Sequence, residues 1–178
     1  MNVIAEVILK FSLRLILLTV LAGAPAFSQA QESNGKRSLP MISAHRGASS
    51  VAPENTLSAF SKAMELGADF IEIDVRTTSD GIQVILHDAS LKRTTGLEAK
   101  VEKTSLVEIK KLSAGYWFGS QYEDQRVPTL EEVCELVSSE NISRTRQVKL
   151  YVDCKAIDAG EVIRILNQHH LLDSAVFY

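Results

Sequence analysis

One hexapeptide near the middle of the chain limits the fold more than any other segment. Phe70-Ile71-Glu72-Ile73-Asp74-Val75 alternates with period two, so as a strand it sends Ile71, Ile73 and Val75 to one face and Glu72 and Asp74 to the other. So dense an apolar face must be covered, and helical segments on both sides can cover it. Thr56 to about Leu66 sets Leu57, Phe60, Ala63 and Met64 along one side of a helix that Gly67 stops, with Pro53-Glu54-Asn55 leading in and Asn55 as its cap. Further strands are read at Met41–Ala44, Ile82–His87 and Lys149–Cys154, and a fifth begins at Ser174. Further helices are read near Ser105–Leu112, near Thr129–Ser138 behind Pro128, and from Asp158 to His169. Strands alternating with helices predict an α/β protein with a largely parallel sheet. One junction departs from that pattern. Only Val75 to Gly81 separates the second and third strands, too little for a parallel crossover, and Ser79-Asp80-Gly81 signals a turn, so this pair is expected to be a local hairpin.

The first thirty residues are of another kind. Lys10 and Arg14 precede the apolar run Leu15–Ala22, and small residues follow through Ala24-Pro25-Ala26 to Ala30. This is the pattern of a secretory signal peptide, over residues 1–30, and the expected location is secreted or periplasmic. The apolar run falls short of the ~20 residues that span a bilayer, so no stable membrane anchor is expected. Residues 31–40 form a polar lead-in, and 41–178 form one domain. With 46% hydrophobic and 23% charged residues the chain is composed like a globular protein. Its net charge of -3, with no long run of either sign, argues against a nucleic-acid partner and leaves small phosphorylated molecules open. Cys134 and Cys154 are too few for a disulfide scaffold and lack zinc-site spacing, so a metal would have to be held by oxygen. They can pair in an oxidising compartment; two separately buried thiols is the favoured reading.

Chemistry is concentrated where polar residues interrupt or end the strands. His45 and Arg46 follow the first, Glu72 and Asp74 share one face of the second, His87 and Asp88 end the third, and Asp153 and Lys155 share one face of the fourth. Active sites of α/β proteins lie at such strand ends. Glu72, Asp74 and Asp153 offer a hard, oxygen-only site suited to calcium or magnesium. His45 and His87 are then free to move protons, and Arg46 and Lys155 to hold a phosphate. Taken singly, each has a plainer reading: a packing loop at 45–47, a solvated face at Glu72 and Asp74, an ordinary ion pair at Asp153 and Lys155. Five such signals at the ends of four strands are hard to produce by packing alone. His169 and His170 close a helix and take no catalytic role; Trp117 and Phe118 are read as core.

The order His45-Arg46-Gly47, Pro53-Glu54-Asn55-Thr56, Glu72-Ile73-Asp74, Asp80-Gly81 and His87-Asp88 resembles the glycerophosphodiester phosphodiesterase family. Arg93-Thr94-Thr95-Gly96, Gly115-Tyr116-Trp117-Phe118 and Val127–Glu132 are similar to that family's insertion, here about 89–127, and the helix after it. The resemblance implies a TIM (β/α)8-type barrel that hydrolyses glycerophosphodiesters such as glycerophosphocholine to glycerol 3-phosphate and an alcohol, with a divalent cation, Ca2+ or Mg2+. It implies His45 and His87 as the acid/base pair, Glu72 and Asp74 as metal ligands and Arg46 on the phosphate. Glu54 matches a residue of the family's site region. Asp153 stands where the family usually has glutamate.

An eight-stranded barrel needs about 250 residues, whereas this chain stops in its fifth strand, so residues 41–178 are read as a partial domain, truncated after about five strands. An open barrel edge predicts self-association. Two other functions stay open: a truncated, non-catalytic fragment or metal- or phosphate-binding module, and a phospholipase acting on intact lipid.

Overall fold

The computed structural model describes residues 40–178. The signal-peptide reading falls outside them. No helix among the described residues is long and apolar enough to cross a membrane.

The fold is built outward from β2 (Phe70–Thr77). β1 (Ser43–Ala44) pairs with it in parallel through Phe70 and Ile71, β4 (Lys149–Ala156) in parallel from Phe70 to Arg76, and β5 (Val176–Phe177) extends the sheet beyond β4. β3 (Gln83–Ile85) runs antiparallel to β2 through Val75–Thr77, which is the expected hairpin, turned at Gly81 with φ +85°. β4 fills one edge of β2 along nearly its whole length. β1 and β3 must therefore share the other edge, β1 arriving from below and β3 returning from above. Their ends converge near Glu72 and Asp74, where the Leu86 N–H donates to the Asp74 carbonyl at 2.9 Å.

Three helices cover the apolar face: α1 (Leu57–Glu65), α4 (Leu130–Asn141) and α5 (Ala159–Gln168). Phe60, Met64, Leu130, Val133, Val162 and Leu166 pack with Ile71, Ile73, Val75, Leu150 and Val152 in one buried cluster. Each such side chain contributes about 1.5–3 kcal/mol by leaving water. A second cluster, including Val84, Leu86, Leu91, Val101 and Ile109, anchors the 89–127 segment with its short helices α2 (Lys92–Thr95) and α3 (Leu106–Ile109).

Several expectations need correction. Thr56, not Asn55, caps α1: its backbone is extended and its hydroxyl accepts from the Ala59 N–H at 3.3 Å, while Asn55 takes the left-handed conformation with φ +56°. Pro128 lies just before the cap of α4; Thr129 and Glu132 open that helix by bonding each other's backbone N–H. β1 is shorter than read, because Met41 and Ile42 are exposed and the Ile42 N–H donates to Asp69 Oδ2 at 2.7 Å. Trp117 is not core but 39% exposed: its Nε1–H is satisfied locally by the Ala114 carbonyl at 3.0 Å, and its ring meets Phe118 edge-on. Both cysteines are free; burial pushes the Cys134 thiol up to about 12.

Candidate active site

The loop after β1 is shaped by what it must pass. Gly47 adopts φ +80°, and a Cβ there would lie 2.7 Å from the Ala59 backbone carbon, so only glycine lets the loop lie against α1. The Ala48 N–H donates to the Ala59 carbonyl at 2.9 Å. This pins Arg46, itself left-handed with φ +57°, over the sheet edge. Its N–H donates to Glu72 Oε2 at 2.7 Å, its Nη1 to Glu54 Oε1 at 3.1 Å, and its Nε lies 3.4 Å from Asp74 Oδ2. His45 stands exposed beside it.

Glu72 and Asp74 lie on the polar face of β2 but are almost inaccessible, at 7% and 1% exposure. Asp74 pairs in register with Asp153 of β4, so the three carboxylates meet across two strands, with one oxygen of each within 4.8 Å of the others. Oxygens bound to a single ion at about 2.4 Å stand at most about 4.8 Å apart, so the set fits one hard divalent cation. Asn55 Nδ2 donates to Asp74 Oδ2 at 2.8 Å, while Asp74 Oδ1, fully buried, has no hydrogen bond. Burial, and next the Asp74 charge, push Glu72 above the ordinary carboxylate range. Lys155 Nζ donates to Asp153 Oδ2 at 2.5 Å and lies 3.5 Å from Asp74 Oδ1, so it lies on the carboxylates. Its hydrogen bond to Asp153 holds its pKa above the usual value.

His87 enters from the opposite end of the same edge. Arg76 grips its carbonyl with Nε at 2.9 Å and Nη2 at 2.7 Å, and its Nδ1 lies 2.7 Å from Asp88 Oδ1. Asp88 and Glu54 are both bridged by Arg93. The site thus gathers His45, Arg46, Glu54, Glu72, Asp74, His87, Asp153 and Lys155 around the polar face of β2, from the strands paired to both of its edges. Asp88, read beside His87 at the end of the third strand but given no role, joins them, with Asn55, read as a helix cap, and Arg93, read only as part of the insertion. Adjacency to His87 pointed to Asp88. Arg93 had no such signal, since it meets Glu54 from 39 positions away in the chain.

A profile of the glycerophosphoryl diester phosphodiesterase family matches residues 45–171. The chain belongs to this family. Among its relatives is a glycerophosphodiester phosphodiesterase of Caldanaerobacter subterraneus, 48% identical over 109 residues that cover 61% of this chain and 45% of that protein. The glycerophosphodiester phosphodiesterase structure from Agrobacterium tumefaciens is similar with a TM-score of 0.72 at 31% identity, covering 79% of this chain and 58% of that one. An Oleispira antarctica phosphodiesterase, solved with the product sn-glycerol-3-phosphate, matches with a TM-score of 0.70 at 37% identity, over 78% of this chain and 57% of that one. The chain spans about half the length of the curated relatives it matches. As a glycerophosphodiester phosphodiesterase family member it has the α/β fold of the TIM-type barrel, and its five strands form part of that barrel.

Proposed function

We propose that this chain carries the catalytic residues of a phosphodiesterase that hydrolyses glycerophosphodiesters, such as glycerophosphocholine, to glycerol 3-phosphate and an alcohol. The observation that carries this reading is the convergence, at the polar face of β2, of an oxygen cluster, an arginine and a histidine. Glu72, Asp74 and Asp153 would hold a divalent cation, Ca2+ or Mg2+. When bound it supplies positive charge for the phosphodiester oxygens and makes a coordinated hydroxyl more acidic. Arg46, fixed through its own backbone to Glu72, aims its guanidinium at the same space and binds a phosphate oxygen; Lys155, swinging from Asp153, binds another. His45 and His87 take up and return protons at the attacking and leaving oxygens. Family membership and the product complex of the Oleispira relative support the substrate class. The N-terminal segment is proposed as an export signal, tested by whether protein recovered outside the cytoplasm begins after residue 30.

The test is glycerol 3-phosphate release from glycerophosphocholine by the purified chain, with calcium, magnesium or chelator. Cation-dependent release that drops by ~10²- to 10⁴-fold in both His45→Ala and His87→Ala supports the reading. Cation binding by a folded chain without any release points instead to a metal- or phosphate-binding module.

A further inference from the structure

Arg93 has no part in the mechanism above, yet its side chain is the most heavily engaged around the site. Nη1 donates to Glu54 Oε2 at 2.8 Å and Nη2 to Glu54 Oε1 at 2.8 Å. Nε donates to Asp88 Oδ2 at 2.7 Å, and Nη2 again to Asp88 Oδ1 at 3.1 Å. The planar fork thus grips a carboxylate with each of two edges, a geometry that arginine has and lysine lacks. Only one N–H of its five is left over, so Arg93 has no free edge for a phosphate.

The Arg93 side chain is half-exposed, but the base of this clamp is anchored in the core. Arg93 sits in α2, whose neighbours Thr94 and Thr95 are buried, and Thr95 Oγ1 donates to the Leu91 carbonyl at 2.6 Å. Leu91 in turn belongs to the second core cluster. At the other end, Glu54 Oε1 also accepts from Arg46 Nη1. A continuous chain of charge-assisted contacts therefore runs from Arg46 through Glu54, Arg93 and Asp88 to His87.

Its consequence for His87 follows from valence. An ionised carboxylate can only accept, so the ring nitrogen 2.7 Å from Asp88 Oδ1 must carry a proton. That leaves Nε2 as the nitrogen open to the site. We propose that Arg93 is a positioning residue: by clamping Asp88 against Glu54 it fixes His87 in the Nδ1–H tautomer and couples that histidine to Arg46 on the phosphate side. The Arg93 hydrogen bonds holding the Asp88 carboxyl well below its usual range agree with this. Only the kinetic arm of the test rests on the phosphodiesterase reading.

The decisive measurement is long-range 1H–15N correlation on the full chain with 15N-labelled histidine, without substrate or added cation, in mildly alkaline buffer. Four histidines are present, and His87→Ala assigns the signal. Wild type is expected to show a protonated Nδ1 and a bare Nε2, and Arg93→Gln an averaged, mixed tautomer. Asp88→Ala, which cuts the link from its other end, is expected to give the same loss and serves if Arg93→Gln does not fold. In turnover, Arg93→Gln should lower kcat by about 10²-fold with KM moving by less than about threefold, as expected for a misplaced proton carrier, and Arg93→Lys should restore only part. An unchanged His87 spectrum in Arg93→Gln overturns the proposal whether or not activity falls, and so does full restoration by lysine. A wild-type chain that hydrolyses nothing while its His87 signals respond to Arg93→Gln would refute the phosphodiesterase reading and leave the clamp standing.

Discussion

Two sets of carboxylates lie on either side of Arg46, and they are treated in opposite ways. Glu54 and Asp88 share Arg93 and are fully engaged; although burial alone would raise Glu54, the Arg93 hydrogen bonds and the charges of Arg93 and Arg46 bring it below the ordinary range. Glu72 and Asp74 are more deeply buried and less well supplied: Asp74 Oδ1 has no hydrogen bond, and burial with the neighbouring Asp74 charge pushes Glu72 upward. Buried and without a hydrogen bond, Asp74 Oδ1 has the Lys155 ammonium at 3.5 Å as its counter-charge, a looser arrangement than the two-edged grip of Arg93 on Glu54 and Asp88. The saturated pair is held by the chain's own cations, and the less well supplied cluster is where the proposed divalent cation would sit.

The contrast is broken most severely at Asp74. Asp74→Asn removes a charge from the undersupplied cluster but keeps its volume and an oxygen. Several kcal/mol of transition-state stabilisation are expected to go, lowering hydrolysis by about 10³-fold. In the same variant, the thermal stabilisation expected from calcium or magnesium in the wild type, about 2.7 kcal/mol at 100 times the dissociation constant, should vanish. A melt in which Asp74→Asn keeps the full cation-induced rise would show that the cluster is not the binding site.

Asn55 joins the two halves of the comparison, since it follows Glu54 in the chain and donates to Asp74. Asn55→Ala should destabilise by about 3 kcal/mol, because it loses a buried bond to a carboxylate and forces alanine into the left-handed region. Asn55→Gly keeps the backbone conformation and isolates the bond, so it should fall between Asn55→Ala and wild type. If Asn55→Gly melts with wild type in denaturant, Asp74 is held by other means.

What was legible in the sequence followed from local periodicity. The period-two pattern of Phe70–Val75 set the buried and polar faces of β2, and Ser79-Asp80-Gly81 marked the hairpin that brings His87 back to Asp74. Other features depended on choices between equals. Asn55 and Thr56 are both good caps, and only the left-handed turn at Asn55 hands the role to Thr56 and frees the amide for Asp74. Lys155 was read as a phosphate ligand from its place on β4, and its contacts with Asp153 and Asp74 depended on the pairing of β4 with β2, which periodicity does not reveal. Arg93 was out of reach because nothing in a loop-rich insertion relates it to Glu54 before the chain is folded. Trp117 was misplaced because a backbone carbonyl within its own loop satisfies the indole, so the ring need not be buried.

The smallest effect separates the sets by acid titration. Glu54 and Asp88 have ordinary values of 4.5 and 3.8 and lie lower in the folded chain. Between their folded and ordinary values the unfolded state binds more protons, so their contribution is present above the ordinary values and is lost as pH falls through the folded ones. Wild type should therefore lose stability steeply on its acid limb below about pH 4. Arg93→Gln returns both groups toward their ordinary values, so their share of that slope should flatten. Asp88 is about one-third exposed and solvent screens it, so the difference is on the order of 1 kcal/mol. Melting curves of the two proteins between pH 2 and 6 make the comparison. They should be offset near neutrality and converge as pH falls; curves that stay parallel would mean that Arg93 does not hold these carboxylates in their charged state.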